Sequence, residues 1–259
     1  MHAVVMAGGI PGPDDPLYAD CNGQPKALLD IAGKPMAQWV LDALGRARQV
    51  QNVVIVGLGP ESGLTCLKPT TFMPDQGGLI NNALGGIRRV RETDPGAALV
   101  LLASSDVPGI TAEIVDWRVD IGNLADADFD YVAVDRKVME ARYPGSHRSY
   151  VKIRGYELCG GDLNVARASL AANQGLWDRL VASRKSALKQ AALLGYDTLF
   201  LIIVRQMTLP LAERLVSRQL GLKTRVHLAP YAELAMDVDK PHQLQILRED
   251  LGLPARPTA

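Results

Sequence analysis

No sign of charge dominates this chain: its 259 residues carry 28 Lys+Arg against 28 Asp+Glu. That balance excludes the broad cationic field that draws proteins to nucleic acid or anionic lipid, so a polyanionic ligand must be met by a local site. Cysteine is scarce. Cys21, Cys66 and Cys159 are odd in number, scattered, and without the paired spacing of a zinc or redox motif, which predicts a reduced, cytoplasmic home. No stretch approaches the ~20 apolar residues needed to cross a bilayer. No cationic region leads into an apolar run and a cleavage site at the N-terminus, so the expectation is a soluble protein that is neither inserted nor exported. Two nucleotide fingerprints are also missing. G-x-x-x-x-G-K-[ST] does not occur, which excludes a P-loop, and the first glycines lack the G-x-G-x-x-G spacing, which disfavours a nicotinamide enzyme.

What is present is a core and an alternation. Apolar residues make up 47% of the chain, enough for one large domain. His2 to Met6 (HAVVM), Asn52 to Gly57 (NVVIVG), Ala97 to Ala103 (AALVLLA) and Asp130 to Val134 (DYVAV) are short, apolar and β-branched, as buried strands are. Between them, Met36, Trp39, Val40, Ala43 and Leu44 recur at helical spacing behind Pro35, Leu79 to Arg91 reads as a helix, and Thr111 offers an N-cap for another. Continuous apolar strands alternating with helices predict a mostly parallel sheet covered on both faces. Further on, Ser149 to Ile153 alternates as a rim or hairpin strand would. Val165 to Leu194 and Thr208 to Leu220 read as mostly helical, Arg225 to Leu228 as a returning strand, and Pro241 opens a last helix. The expectation is one α/β domain over 1–259 with a mostly helical insertion at about 166–222.

Five features carry chemistry. The Gly8-Gly9 turn, after Ala7 at the carboxyl end of the first strand, lets backbone N–H groups approach a phosphate, although a plain tight turn uses the same residues. Lys26, in P-K-A-L-L, is a point charge suited to a triphosphate or to charge developing on a transferred phosphoryl group; a solvated lysine is the bland alternative. Asp106 follows AALVLLASS at the edge where open α/β sheets bind ligands, placed to hold Mg²⁺ against phosphate oxygens or merely to cap a turn. Asp237 and Asp239 in A-M-D-V-D-K-P share one face if the segment is extended, able to share a cation or to cap the final helix. Gln76-Gly77-Gly78, with Asn81 and Asn82, forms a comparable loop before a helix, within reach of base or ribose.

Taken together, MAGG, PKALLDIAGKPMAQWVLDAL, SSDVP and DVDKPHQLQIL resemble, in order and spacing, the molybdenum-cofactor guanylyltransferase-like and sugar-phosphate nucleotidyltransferases. The resemblance implies a GT-A-like Rossmannoid fold and Mg²⁺-dependent transfer of a nucleoside monophosphate from an NTP to a phosphorylated acceptor, a sugar phosphate or a molybdopterin-like molecule, with release of pyrophosphate. It assigns nucleotide contacts to Ala7, Gly8 and Gly9, phosphate contact and catalysis to Lys26, metal binding and catalysis to Asp106, and a second metal ligand to Asp239, with Asp237 next in line. It also places acceptor contacts in Gly160-Gly161-Asp162-Leu163-Asn164, at Gly161, Asp162 and Asn164. One departure stands out: the family's arginine soon after the glycines is absent, and IPGPDDPLYADCNGQ brings acidic residues and no cation. Arg148, grouped with the acceptor contacts, is one candidate to replace it, and Arg184-Lys185 another. A non-catalytic nucleotide-binding module of the same fold is the competing reading, and the insertion offers a homodimer contact.

Overall fold

The computed structural model describes residues 1–173, Gly175, Trp177 and 206–252. Its strands are β1 (His2–Met6), β2 (Asp30–Ile31), β3 (Lys34–Pro35), β4 (Val53–Val56), β5 (Thr70–Met73), β6 (Leu99–Ser104), β7 (Phe129–Asp135), β8 (Val151–Ile153), β9 (Tyr156–Gly160), β10 (Leu163–Arg167) and β11 (Thr224–Ala229). The α-helices are α1 (Tyr18–Cys21), α2 (Met36–Arg46), α3 (Leu79–Thr93), α4 (Ala112–Leu124), α5 (Arg136–Arg142), α6 (Leu209–Leu220) and α7 (Pro241–Gly252). Nine strands form one sheet in the order β5-β4-β1-β6-β10-β7-β9-β8, with β11 also paired to β7. The half containing β5, β4, β1 and β6 is parallel throughout, and β11 runs parallel to β7. β10 runs antiparallel to both β6 and β7.

Period-2 alternation in β1 explains why both faces are covered. Ala3 and Val5 enter a core shared with Val40, Leu41 and Leu44 of α2, Ile114 and Val115 of α4, and Leu244 and Leu247 of α7. Val4 points the other way, against Leu84, Ile87 and Val90 of α3. Gly86 lets α3 lie close, since a Cβ there would stand 2.2 Å from Val4 Cγ1. The Thr111 hydroxyl accepts from Ile114 N at the start of α4, as the sequence predicts.

The sequence reading needs correction after residue 160. Leu163–Arg167, placed partly in a helix, is a strand at the middle of the sheet, and a 3-10 turn over Ala168–Ala172 follows it. Its small and β-branched residues are claimed by ladder bonds on both sides, a tertiary demand that local propensity does not reveal. α6, β11 and α7 fall where expected, and Val151–Ile153 is the rim strand of an antiparallel hairpin with β9. Much of the expected helical insertion, with Arg184-Lys185, lies outside the described residues.

Candidate functional site

Three parallel strands end side by side, and their carboxyl ends build the floor of the site. Ala7 N donates to Val56 O at 2.8 Å, and Ser105 N to Met6 O at 3.1 Å, so the ends of β1, β4 and β6 are level. Gly57 has φ +111°, and a Cβ on it would fall 2.2 Å from both Cα and N of Gly8. Only glycine permits that approach, so Gly57 is the buttress of the Gly8-Gly9 turn.

The distance in sequence between that turn and Lys26 closes in space. Lys26 N donates to Gly9 O at 3.2 Å, making residues 10–25 a loop whose ends meet. Leu17 and Cys21 sink into the core to hold the loop down, while Asp14 and Asp20 are exposed. A 3-10 turn over Lys26–Leu28 then points the lysine across the strand ends. Its Nζ donates to Asp106 Oδ2 at 2.9 Å and to Asp239 Oδ1 at 2.7 Å. Burial works against the charged lysine, but these two carboxylates more than offset it and hold the ammonium well above the usual lysine range.

Asp106 is set by its own strand and holds its neighbours. Ser104 Oγ donates a short hydrogen bond to Asp106 Oδ1, and Val238 N donates to Asp106 O at 3.0 Å. That backbone bond brings Asp237–Asp239 to the end of β6, and Gln243 Oε1 accepts from Asp239 N at 3.0 Å from within α7. Burial disfavours the Asp239 carboxylate, yet the bonds from Lys26 and Asp237 keep its pKa below the usual range. Asp237 pairs with Arg148, and burial pushes its carboxyl up to about 8. Asp162 is fixed through its backbone, N to Leu234 O at 2.8 Å and O from Ser104 N at 2.9 Å. Burial, then repulsion from Asp106, raises its carboxyl to about 7. Four carboxylates, Asp106, Asp162, Asp237 and Asp239, thus share one region with two cations, Lys26 and Arg148.

The second wall is the loop before α3. Asn82 is buried, its Oδ1 accepting from Gln76 N at 2.7 Å and its Nδ2 donating to Asp75 Oδ1 at 2.7 Å. Both side chains crowd Gly8, where a Cβ would stand 2.6 Å from Asp75 Oδ1 and 2.7 Å from Asn82 Nδ2. Asp75 and Asn82 therefore border the glycine turn; Gln76 is tied to it through Asn82, and Gly77 and Gly78, at φ +86° and +120°, lead into the helix that carries Asn81. Asp75 and Gly57 escaped the sequence reading, although the glycine directly after NVVIV marks a strand end in the same way as Gly8. Gly161 and Asn164, expected at the acceptor, also make structural contacts. A Cβ at Gly161 would sit 2.7 Å from Val132 Cγ1, and Asn164 ties Val132 N to Gly161 O through its amide at 2.9 and 3.1 Å.

An α/β sheet whose parallel strands end at a glycine turn, a lysine and clustered carboxylates is the frame of a nucleotide-handling transferase. The chain belongs to the family of the MobA-like NTP transferase domain, whose model matches residues 3–141. A solved structure described as a hypothetical transferase from Thermus thermophilus is 32% identical, with a TM-score of 0.81 over 94% of this chain and 98% of that one. CMP:2-keto-3-deoxy-manno-octonic acid synthetase complexed with CTP shares the fold at 15% identity and a TM-score of 0.61, over 97% of this chain and 98% of that one. So does 4-diphosphocytidyl-2C-methyl-D-erythritol synthase from Anaerococcus prevotii, at 13% identity and 0.57, over 96% and 95% of the two chains. No curated protein matches the sequence. The resemblance and the fold class read from the motifs are thereby borne out, and the chain is of nucleotidyltransferase type. Among the described residues, no helix is long and apolar enough to cross a membrane.

The donor set suits a hard divalent cation in part. Among the described residues, no group of three or more His, Cys, Asp and Glu side chains is arranged to hold a metal. Two carboxylates converge on one positive charge, however: Asp106 and Asp239 flank the Lys26 ammonium. Mg²⁺ needs only one or two protein carboxylates when phosphate oxygens and water complete its octahedron. Asp106 and Asp239 fit that requirement; Asp237, turned to Arg148, does not join them in this arrangement.

Proposed function

We propose that the protein transfers a nucleoside monophosphate from an NTP to a phosphorylated small-molecule acceptor, releasing pyrophosphate and using Mg²⁺. The observation that carries this reading is the Lys26 bridge between Asp106 and Asp239, from residues 80 and 213 positions apart in sequence. A half-buried cation held by two carboxylates at the strand ends is a charge-matched slot for a cation and phosphate oxygens.

When the NTP enters, the glycine turn and the loop before α3 receive the nucleoside, and Lys26 turns from the carboxylates to the phosphates. Asp106 and Asp239 would hold Mg²⁺, which supplies charge neutralisation at the phosphate oxygens. The acceptor's oxygen attacks the α-phosphorus in line as the bond to the bridging oxygen of pyrophosphate breaks. Lys26 stabilises the charge that develops on phosphate oxygens, so the protein contributes positioning and electrostatics. The acidic residues of loop 10–25 make this neutralisation necessary, because that loop brings no cation of its own. Asp162 and Arg148 border the acceptor side, and the whole chain acts as one domain.

Pyrophosphate release, measured with a panel of NTPs and sugar phosphates for the wild type and Asp106→Ala, tests the proposal. Turnover with one donor and acceptor pair, lost in the variant, supports it. NTP binding without turnover on any acceptor would favour the non-catalytic module.

A further inference from the structure

Arg148 is the least satisfied cation of the site. Its side chain is 14% exposed and its Nε, buried, lacks a hydrogen-bond partner among the described residues. Ser146, two residues before it and fully buried, has a hydroxyl without a hydrogen-bond partner among the described residues, while Asp237 Oδ1 is ion-paired with Nη1 of the guanidinium. Leaving buried donors unmade is costly, which favours a ligand oxygen or water at this spot. The segment carrying them is well anchored. His242 Nε2 and Gln243 Nε2 lie 3.0 and 3.3 Å from Ser146 O, so the start of α7 grips residues 146–148 from one side. Cys159 touches the guanidinium from the other.

Asp237 has two neighbours that compete for it. Arg148 holds it now, while Asp239, in contact with it, is one of the two carboxylates flanking Lys26. Two cations face four carboxylates here, so the region carries excess negative charge whenever all four are ionised. An anion reaching Arg148 through its open Nε competes with Asp237 for the guanidinium's charge, and the nearest place where a released carboxylate lowers its energy is beside an added cation.

Resting on the transferase reading above, we propose that Arg148 is the anion-binding residue of the acceptor subsite and that Asp237 occupies it in reserve. An anionic group of the acceptor, a phosphate or carboxylate, displaces Asp237, which then joins Asp106 and Asp239 at the divalent cation. Acceptor anion and cation therefore bind with positive coupling. The coupling is reciprocal, as any linkage of binding free energies must be.

The test is Mn²⁺ binding followed by electron paramagnetic resonance of the free ion, with sulfate as the anion probe and chloride at matched ionic strength as the control. In the wild type, sulfate should tighten Mn²⁺ about fivefold or more. Arg148→Gln should bind Mn²⁺ more tightly than the wild type without sulfate, and ignore sulfate. Arg148→Lys, which keeps the charge, should retain part of the response. If Arg148→Gln does not fold, the wild type and Arg148→Lys decide the matter. Mn²⁺ bound by the wild type with no response to sulfate, or bound more weakly by Arg148→Gln, would overturn this proposal alone. Absence of Mn²⁺ binding in every form would overturn the cation site itself.

Discussion

Replacing Gly57 by alanine should damage the molecule more than replacing Gly9, although the two glycines have similar φ, +111° and +116°. Each alanine is strained by that backbone conformation, at a cost of about 1–3 kcal/mol. At Gly9 nothing lies within 4 Å of the new Cβ, so the cost ends there. At Gly57 the Cβ would stand 2.2 Å from Gly8 Cα and N and 2.8 Å from Ala7 C, and backbone cannot swing aside as a flexible side chain can. Displacing it adds about 1–3 kcal/mol. With about 2–4 °C lost per kcal/mol in a domain of this size, the steric part alone separates the two melting temperatures by roughly 2–12 °C. Differential scanning fluorimetry measures the gap. The nucleotide reading adds a second column, because the open space at Gly9 is where a phosphate would approach. Gly9→Ala should therefore weaken NTP binding about tenfold or more, a loss near 1.4 kcal/mol, while losing only the stability that backbone strain costs. Equal melting temperatures for the two variants would refute the buttress argument.

Three further outcomes follow from particular contacts. Arg118 is fully buried and donates to Asp130 Oδ2 at 2.8 Å, Asp130 O at 2.6 Å and Leu163 O at 2.8 Å. Asp130→Ala should thus cost about 3–5 kcal/mol in urea unfolding by stranding the charge, and pairing it with Arg118→Met should recover much of that loss. Asn82→Ala, which frees Asp75 and Gln76, should lower stability by about 1–3 kcal/mol and weaken NTP binding; unchanged binding by calorimetry would remove Asn82 from the positioning of that loop. The third concerns pH. The Asp162 and Asp237 carboxyls are raised from 3.8 to about 7 and about 8 in the folded chain, so between about pH 4 and 8 the folded state holds protons that the unfolded state has released. Their contribution is full below about pH 4 and is lost as pH rises through 7 to 8, with a slope up to about 1.4 kcal/mol per unit for each proton. Unfolding of Asp162→Asn and Asp237→Asn at pH 5 and 8 checks it: each should flatten the slope, and a wild-type stability that rises over this window would contradict it.

Periodicity made the parallel half of the sheet legible. β1 was read with the same bounds because a continuous apolar, β-branched run marks a strand covered on both faces, and the start of α3 and the Thr111 cap fall where the local pattern puts them. β10, five residues long and without the continuous apolar run of β1 or β6, owes its strand state to ladders with β6 and β7, and β5, half-buried at the sheet edge, has too weak a pattern to announce itself. In the site, Lys26, Asp106 and Asp239, which the motifs single out one by one, meet in space. Their separate spacings did not say that Lys26 would bridge the two carboxylates, nor that Asp237 would turn to Arg148. Those are outcomes of charge pairing in a crowded space, decided only once the chain has folded. Gly161 and Asn164 have structural tasks that the motif did not announce, in close packing and in backbone bonds.

The central claim is that the two carboxylates around Lys26 form a cation-dependent triphosphate site. Isothermal calorimetry of each NTP with and without Mg²⁺, on the wild type and Asp106→Asn, tests it most directly. The account predicts that one NTP binds the wild type with Mg²⁺, binds about tenfold or more weakly without it, and loses that dependence in the variant. NTP binding of equal strength with and without Mg²⁺, or equal in both proteins, would contradict it.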